Sequence, residues 1–376
     1  MEEKIITIRR ELHQIPEIGW NLPKTSAYIE KSLKEMNLSY RKIQSTGFII
    51  RLKSQNKDAK TIIFRTDMDA LNVTEEYPSE YMSTHPGKMH ACGHDGHMAM
   101  MLSFLERIKE KELPCHVVVL FQPAKENMIG AKVFLDESEL KGTLAIFSIH
   151  LWTPIDSGKV CLGEGPRMSS ADNFEIRFQG HSSHGGEPHC GTDCLVAACS
   201  FVHSVQSIIS RRVDPNDKAV ITVDSIHGGT AHNILATHVD LTGTVRTSRP
   251  ELRKQIPVWM KKMCHSIASA YEVQGEMKWI EGTPTTINHP LASSMAEQAA
   301  KKIMGENAII NFPTTGAGED FALYMEHIPG CMILLGAKTE EYYPHHHPRF
   351  NINEEVLKTG SSLMEQIVMD MNTKKD

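Results

Sequence analysis

The chain has 376 residues, 40% of them hydrophobic and 23% charged, with a formal net charge of −6. That length is too great for one ordinary core and suits two domains, and the composition is that of a globular chain, not a disordered or fibrous one. A negative chain without a basic run argues against a nucleic-acid partner, and no apolar stretch approaches a membrane span.

The charged, amphipathic start, MEEKIITIRRELHQ, predicts a helix over residues 2 to 15, with Ile5, Ile8 and Leu12 on one face and Pro16 ending it. It is not a signal peptide. A second helix runs from about Lys24 to Met36, followed by strands FIIRLK (48–53) and TIIFRT (61–66). GHMAMMLSFLERIKEKEL is helical. Next come the apolar strand CHVVVLFQP, a helix to about Leu140 and the strand TLAIFSIH. Strands alternating with helices predict an α/β main domain, its mostly parallel central sheet flanked by helices.

The pattern changes near residue 170. ADNFEIRFQG, KAVITVDSIHGG, THVDLTGTVRT and VQGEMKWIEG alternate like half-buried strands. Two long amphipathic helices lie among them, giving the order β-α-β-β-α-β of a ferredoxin-like α+β unit. From about Thr283 the helix–strand pattern resumes. The expected organisation is a discontinuous main domain, 1–170 and 283–376, carrying an inserted domain, 171–282. Eight cysteines without regular spacing suit reduced thiols in a cytoplasm.

Twenty histidines are the unusual feature, and several are clustered. MHACGHDGH (89–97) packs Cys92, His94, Asp95 and His97 into a turn before a helix. Thiolate and imidazole two residues apart suit metal ligation, although a loop with a buried Cys has the same look. FRTDMDAL places Asp67 and Asp69 just after a buried strand, as metal ligands, as carboxylates orienting a ligand His from behind, or as helix caps. His150 ends another apolar strand, and PHHHPRF holds a His triplet, 345–347, in a Pro-bounded loop. Together with Glu126, these residues fall at the carboxyl ends of strands, the rim where α/β folds build sites. A mixed S, N and O donor set suits Zn, Mn, Co or Ni better than Ca or Mg. There is no P-loop, G-x-S-x-G elbow or dinucleotide fingerprint.

RRELHQIPE, FRTDMDAL, MHACGHDGH, FQPAKE, HGGTAHNILATHVDLTGTVRT, GEDFALY and HHPRF occur in that order. The chain thereby resembles the metal-dependent amidohydrolases that include hippurate hydrolases, N-acyl-amino-acid aminoacylases, N-acetyl-diaminopimelate deacetylases and auxin-conjugate hydrolases. The resemblance implies two divalent metal ions (Mn, Zn, Co or Ni) on Cys92, His94, Glu126, His150 and His346, with Asp69 behind them. It implies that the inserted domain acts as a lid and oligomerisation surface, giving a homodimer or higher oligomer. His184 would reach toward the site, and Asn233 and Arg246 would bind substrate. The expected reaction is hydrolysis of an N-acyl amino acid to a carboxylate and a free amino acid; action on short peptides, as a carboxypeptidase or dipeptidase, is the lesser reading.

One position departs. The family pattern FQPAEE has two carboxylates, the first moving a proton from the attacking water to the leaving amine. Here that position is Lys125, followed by Glu126. Five readings stay open. Ordinary hydrolysis is lost, leaving a weak enzyme or a non-catalytic binder of acyl amino acids or peptides. Lys125 acts as a neutral base. Its ammonium displaces a metal. His97 or Asp95 supplies the base. Or Lys125 is an isolated or introduced change in an ordinary enzyme. Cys190, Cys194 and Cys199 read as packing cysteines on one helix.

Overall fold

The computed structural model describes residues 2–135 and 140–372. The chain forms two compact units, one of residues 1–165, 287–313 and 320–376, the other of residues 166–286 and 314–319.

The first unit is built on a seven-stranded sheet in the order Tyr40–Ile43, Gly47–Leu52, His116–Gln122, Thr61–Asp67, Thr143–Trp152, Gly330–Gly336 and Val160–Cys161. The four strands from His116–Gln122 to Gly330–Gly336 are mutually parallel, and antiparallel strands close both edges. The parallel strands are apolar nearly throughout because helices cover both faces. Phe64 anchors the core, its ring 4.8 Å from Phe104 and 5.5 Å from Phe147. The helix His94–Ile108 is buried along most of its length, a consequence of its apolar MAMMLSFL run. The expected helices at the start are Glu2–His13 and Pro23–Glu35. The helix expected as far as Leu140 is Gly130–Leu135; residues 136–139 lie outside the described residues.

The second unit is a four-stranded antiparallel sheet, ordered Gln274–Thr283, Ala171–Gln179, His238–Thr247, Ala219–Gly228. Strict alternation buries Phe174, Ile176 and Phe178 against the helices Cys194–Arg212 and Pro250–Ala270. Helix Cys194–Arg212 is long and apolar enough to cross a membrane by length and composition only. Its Ala197, Ala198, Phe201, Val205 and Ile208 are instead core residues of this unit. The cysteine reading needs correction. Cys194 packs inside, but Cys190 sits in a separate turn and Cys199 on the outer helix face, and both are exposed.

A buried ion pair staples this unit. Asp172, fully buried, accepts two 2.9 Å bonds from Arg253 and a third, also 2.9 Å, from the Gly282 amide. Removing one partner strands the other charge in the interior. Arg253→Ala is therefore expected to destabilise this unit by about 3–5 kcal/mol, read as an earlier denaturant transition with the first unit's transition unmoved.

Candidate metal centre

The donors gather where the parallel strands of the first unit end. His94 opens its helix just after Gly93, and His150 lies near the end of the strand Thr143–Trp152. In each ring Nδ1 faces a main-chain carbonyl, Asp69 O at 2.6 Å for His94 and Leu151 O at 2.8 Å for His150. Nδ1 must therefore carry the proton, which leaves an Nε2 lone pair on each. His150 Nε2 lies 3.7 Å from Cys92 Sγ, and His94 Nε2 lies 3.5 Å from Glu126 Oε1. Burial holds both imidazoles well below their usual pKa, so these contacts are not ion pairs.

Asp69 positions two donors at once. Its carbonyl holds His94, and its carboxylate oxygens accept the Lys125 and Glu126 amides at 3.0 Å each. The turn so gripped is tight. Ala124 and Met128 adopt positive φ, and a Cβ on Gly130 would lie 1.9 Å from the Pro123 carbonyl. Only glycine fits there.

The His triplet divides by environment. His345 is half-buried, stacks on Trp152 with ring centroids 4.5 Å apart and bonds the Leu151 carbonyl. His347 accepts the Arg349 amide and stacks on Tyr343. His346, at φ 68°, alone of the three joins Cys92 and Glu126. Two donor groups thus share Cys92: Cys92, His94 and His150, and Cys92, Glu126 and His346, each with its ligand atoms within 4.8 Å of one another.

Burial pushes the Cys92 thiol well up, and Lys125 pulling the other way does not overcome it. Burial, together with the nearby Glu126, also pushes the Asp69 carboxyl up. His94 Nε2 and Glu126 Oε1 are buried without a hydrogen-bond partner among the described residues. Unpartnered acceptors beside a thiol are costly in a protein interior, and a divalent cation would satisfy them together. The donor set therefore fits a metal.

Two of the base candidates are committed elsewhere. His97 Nδ1 donates to Asp67 at 2.7 Å, and its Nε2 accepts the Leu151 amide at 2.9 Å, so neither nitrogen is left over. This hydrogen bonding also accounts for a third donor group, Asp67, His94 and His97, without a metal. Asp95 is gripped by Arg9 at 2.8 Å and His13 at 2.7 Å. Lys125 is buried, with Nζ 3.9 Å from Cys92 Sγ and 3.7 Å from Glu126 Oε2.

In the second unit, His184 pairs with Ile234, and the Gly185 amide donates to the Asn233 carbonyl, so His184 and Asn233 share one end of the sheet. Arg246 does not join them. It lies eight residues along the strand from His238, roughly 26 Å at strand rise. It makes no ion pair among the described residues, and its contacts are Thr244 and main-chain carbonyls.

The sequence reading missed a buried network under the donors. Arg65 binds Gln122 at 3.0 Å, Asp67 at 2.9 Å and Asp320 at 2.6 Å. An arginine inside an apolar strand and the GED motif were the available signals.

The pattern described as Peptidase family M20/M25/M40 matches residues 63–370. The chain is 35% identical over 364 residues to the N-acetyl-L-cysteine deacetylase of Bacillus subtilis, spanning 96% of this chain and 86% of that one. It is 34% identical over 363 residues to an N-acetyldiaminopimelate deacetylase of Listeria monocytogenes, spanning 95% and 96%. A solved Bacillus subtilis structure, described as a dinuclear metal binding peptidase from the M20 family, superposes with a TM-score of 0.87 at 31% identity, covering 99% of both chains. Fold and relatives define the class as hydrolases acting on amide bonds. The chain belongs to the M20/M25/M40 peptidase family.

His90 supplies a pH-dependent prediction. Both its ring nitrogens are buried without hydrogen-bond partners among the described residues, and burial lowers its pKa from 6.5 to about 4. Between those values the unfolded chain binds a proton that the folded chain refuses, so stability rises with pH there. His90→Phe is expected to remove up to about 3 kcal/mol of that slope, measured by denaturant unfolding between pH 4 and pH 7.

Proposed function

We propose that this chain is a metal-dependent amidohydrolase of N-acyl amino acids, slowed by Lys125. The observation that carries it is the convergence of Cys92, His94, Glu126, His150 and His346, with two of their lone pairs buried and otherwise unused. These five residues would hold two divalent ions of the Mn, Zn, Co or Ni type. When bound, such ions polarise an amide carbonyl and make water a better nucleophile at neutral pH. The deacetylase relatives support an acetylated or similarly acylated amino acid as substrate.

What this chain's residues contribute follows from their bonds. Asp69 fixes the register of Lys125 and Glu126 against His94. Lys125 stands where the proton-carrying carboxylate is expected. His97 has neither ring nitrogen to spare, and the Asp95 carboxylate is tied at Oδ2 to Arg9 and His13. Loss of general acid–base help costs roughly 10²- to 10⁴-fold in rate. We assign the free carboxylate of the substrate to Arg246, a half-buried guanidinium without an acidic partner among the described residues. His184 and Asn233, at the other end of that sheet, are the further candidates, for contact with substrate held by a second copy of the chain. Eight cysteines without regular spacing support a reducing, cytoplasmic setting. The edge strands Gln274–Thr283 and Ala219–Gly228 of the second unit support pairing between copies.

The second reading, a binder of acyl amino acids without turnover, rests on the same lysine. A panel of N-acetyl and N-benzoyl amino acids, with excess Mn²⁺, separates the two. Lys125→Glu is expected to turn over roughly 10²- to 10⁴-fold faster than the unaltered chain. An unaltered chain that is fast, and slowed by the substitution, would make Lys125 part of the mechanism and overturn the impaired-enzyme reading. Arg246→Met is expected to lower kcat/KM about 10- to 100-fold, the worth of a hydrogen bond to a charged group. The corresponding amides, which lack the carboxylate, should be hydrolysed equally by both forms.

A further inference from the structure

The two donor groups that share Cys92 are not alike. Cys92, His94 and His150 are all buried, each imidazole oriented by a carbonyl behind it. In the other group the His346 side chain is 53% exposed. Lys125 adds a second asymmetry. Its Nζ stands within 3.9 Å of the shared Sγ and 3.7 Å of the Glu126 carboxylate, two of the three donors of the Cys92–Glu126–His346 group. Its side chain is 5% exposed, so water does little to screen it. Relative to a carboxylate at 125, a lysine changes the local charge from −1 to +1, a difference equal to one divalent ion.

We propose that Lys125 makes the two metal positions unequal: Cys92, His94 and His150 hold one divalent ion tightly, and the Cys92–Glu126–His346 position binds a second only weakly. The inference rests on the five-ligand reading above. The ammonium sits beside two of the donors that a second cation would need, and like charges this close in a poorly screened site repel by several RT. The first position has one such donor, the shared Cys92, and its His94 and His150 are each held by a main-chain carbonyl.

The test is metal binding, independent of turnover. Metal-free unaltered protein, Lys125→Met and Lys125→Glu are titrated with Co²⁺ calorimetrically, then dialysed and analysed for metal. Thiolate-to-cobalt absorption reports Cys92. The unaltered chain is expected to retain about one ion, with Cys92 ligated, and to take a second with an affinity on the order of 100-fold weaker or more. Lys125→Met should narrow that gap, and Lys125→Glu should retain two. His346→Ala in the unaltered background should leave the tight ion in place; its loss would overturn the assignment of positions. Two ions of like affinity in the unaltered chain would overturn the inference and leave the five-ligand reading standing. No ion in any form would overturn the five-ligand reading itself. The unaltered isotherm decides the matter even if a variant does not fold.

Discussion

The metal centre depends on a charge buried beneath it. Arg65 lies in the strand Thr61–Asp67 with its guanidinium withdrawn from water, and it is held there by Asp67, Gln122 and Asp320. Taking such charges out of water costs several kcal/mol each, recovered only when geometry and hydrogen bonding are good. Here they are. Gln122 also donates to both oxygens of Asp320 and accepts from the Tyr324 hydroxyl. Asp320 reaches the Ala131 amide at 3.0 Å. The network therefore ties two neighbouring strands to the short helix that follows the Lys125–Glu126 turn. That turn is gripped by Asp69 on one side and anchored through Asp320 on the other. A second buried set, Arg9 with Asp95, His13 and Glu354, secures the first turn of the His94 helix from behind. Both networks spend charge to place donors that make few bonds of their own.

The donors can stay available because others take up the neighbouring hydrogen bonds. His97 is saturated by Asp67 and a backbone amide, and His345 turns its Nε2 to the Leu151 carbonyl while stacking on Trp152. His94 and His150 spend one nitrogen each on carbonyls. Of the seven histidines at 90, 94, 97, 150 and 345–347, the bonding pattern turns Nε2 toward another donor of the site on His94, His150 and His346. Histidine count alone could not make that separation, since it depends on which carbonyls and amides the folded loops bring within reach.

The fold was legible where periodicity is strong. Near-continuous apolar runs marked three of the four parallel strands, Gly330–Gly336 not being singled out, and strict alternation marked ADNFEIRFQG and THVDLTGTVRT. The short edge strands Tyr40–Ile43 and Val160–Cys161 were not seen, because four and two residues carry no periodicity to read. The site was legible through local motifs, since Cys92 and His94, or Lys125 and Glu126, are neighbours in sequence. What pairs across the sheet was hidden. Arg65 and Asp320 are 255 positions apart, and an isolated arginine in an apolar strand gives no hint of its partner. His184 and Asn233 illustrate the converse. The sequence grouped them with Arg246 as one substrate-binding set, whereas strand direction puts Arg246 far along the strand from the other two.

The same bonding explains how a lysine can stand at position 125 without disturbing the ligands around it. Asp69 holds residue 125 by its backbone amide, not by its side chain. The conformation of the turn is set by that bond, by the Met128 amide closing onto the Lys125 carbonyl at 2.8 Å, and by the close approach of Gly130 to Pro123. None of these requires a carboxylate at 125. Glu126, one residue on, keeps its place through its own amide to Asp69. A change of side chain at 125 therefore alters the charge and proton-carrying capacity of the site while its scaffold stays put. The separation has a physical consequence: the candidate metal donor Glu126 and the side chain at 125 are set independently, because each is placed by its own backbone amide, so one can change while the other is retained.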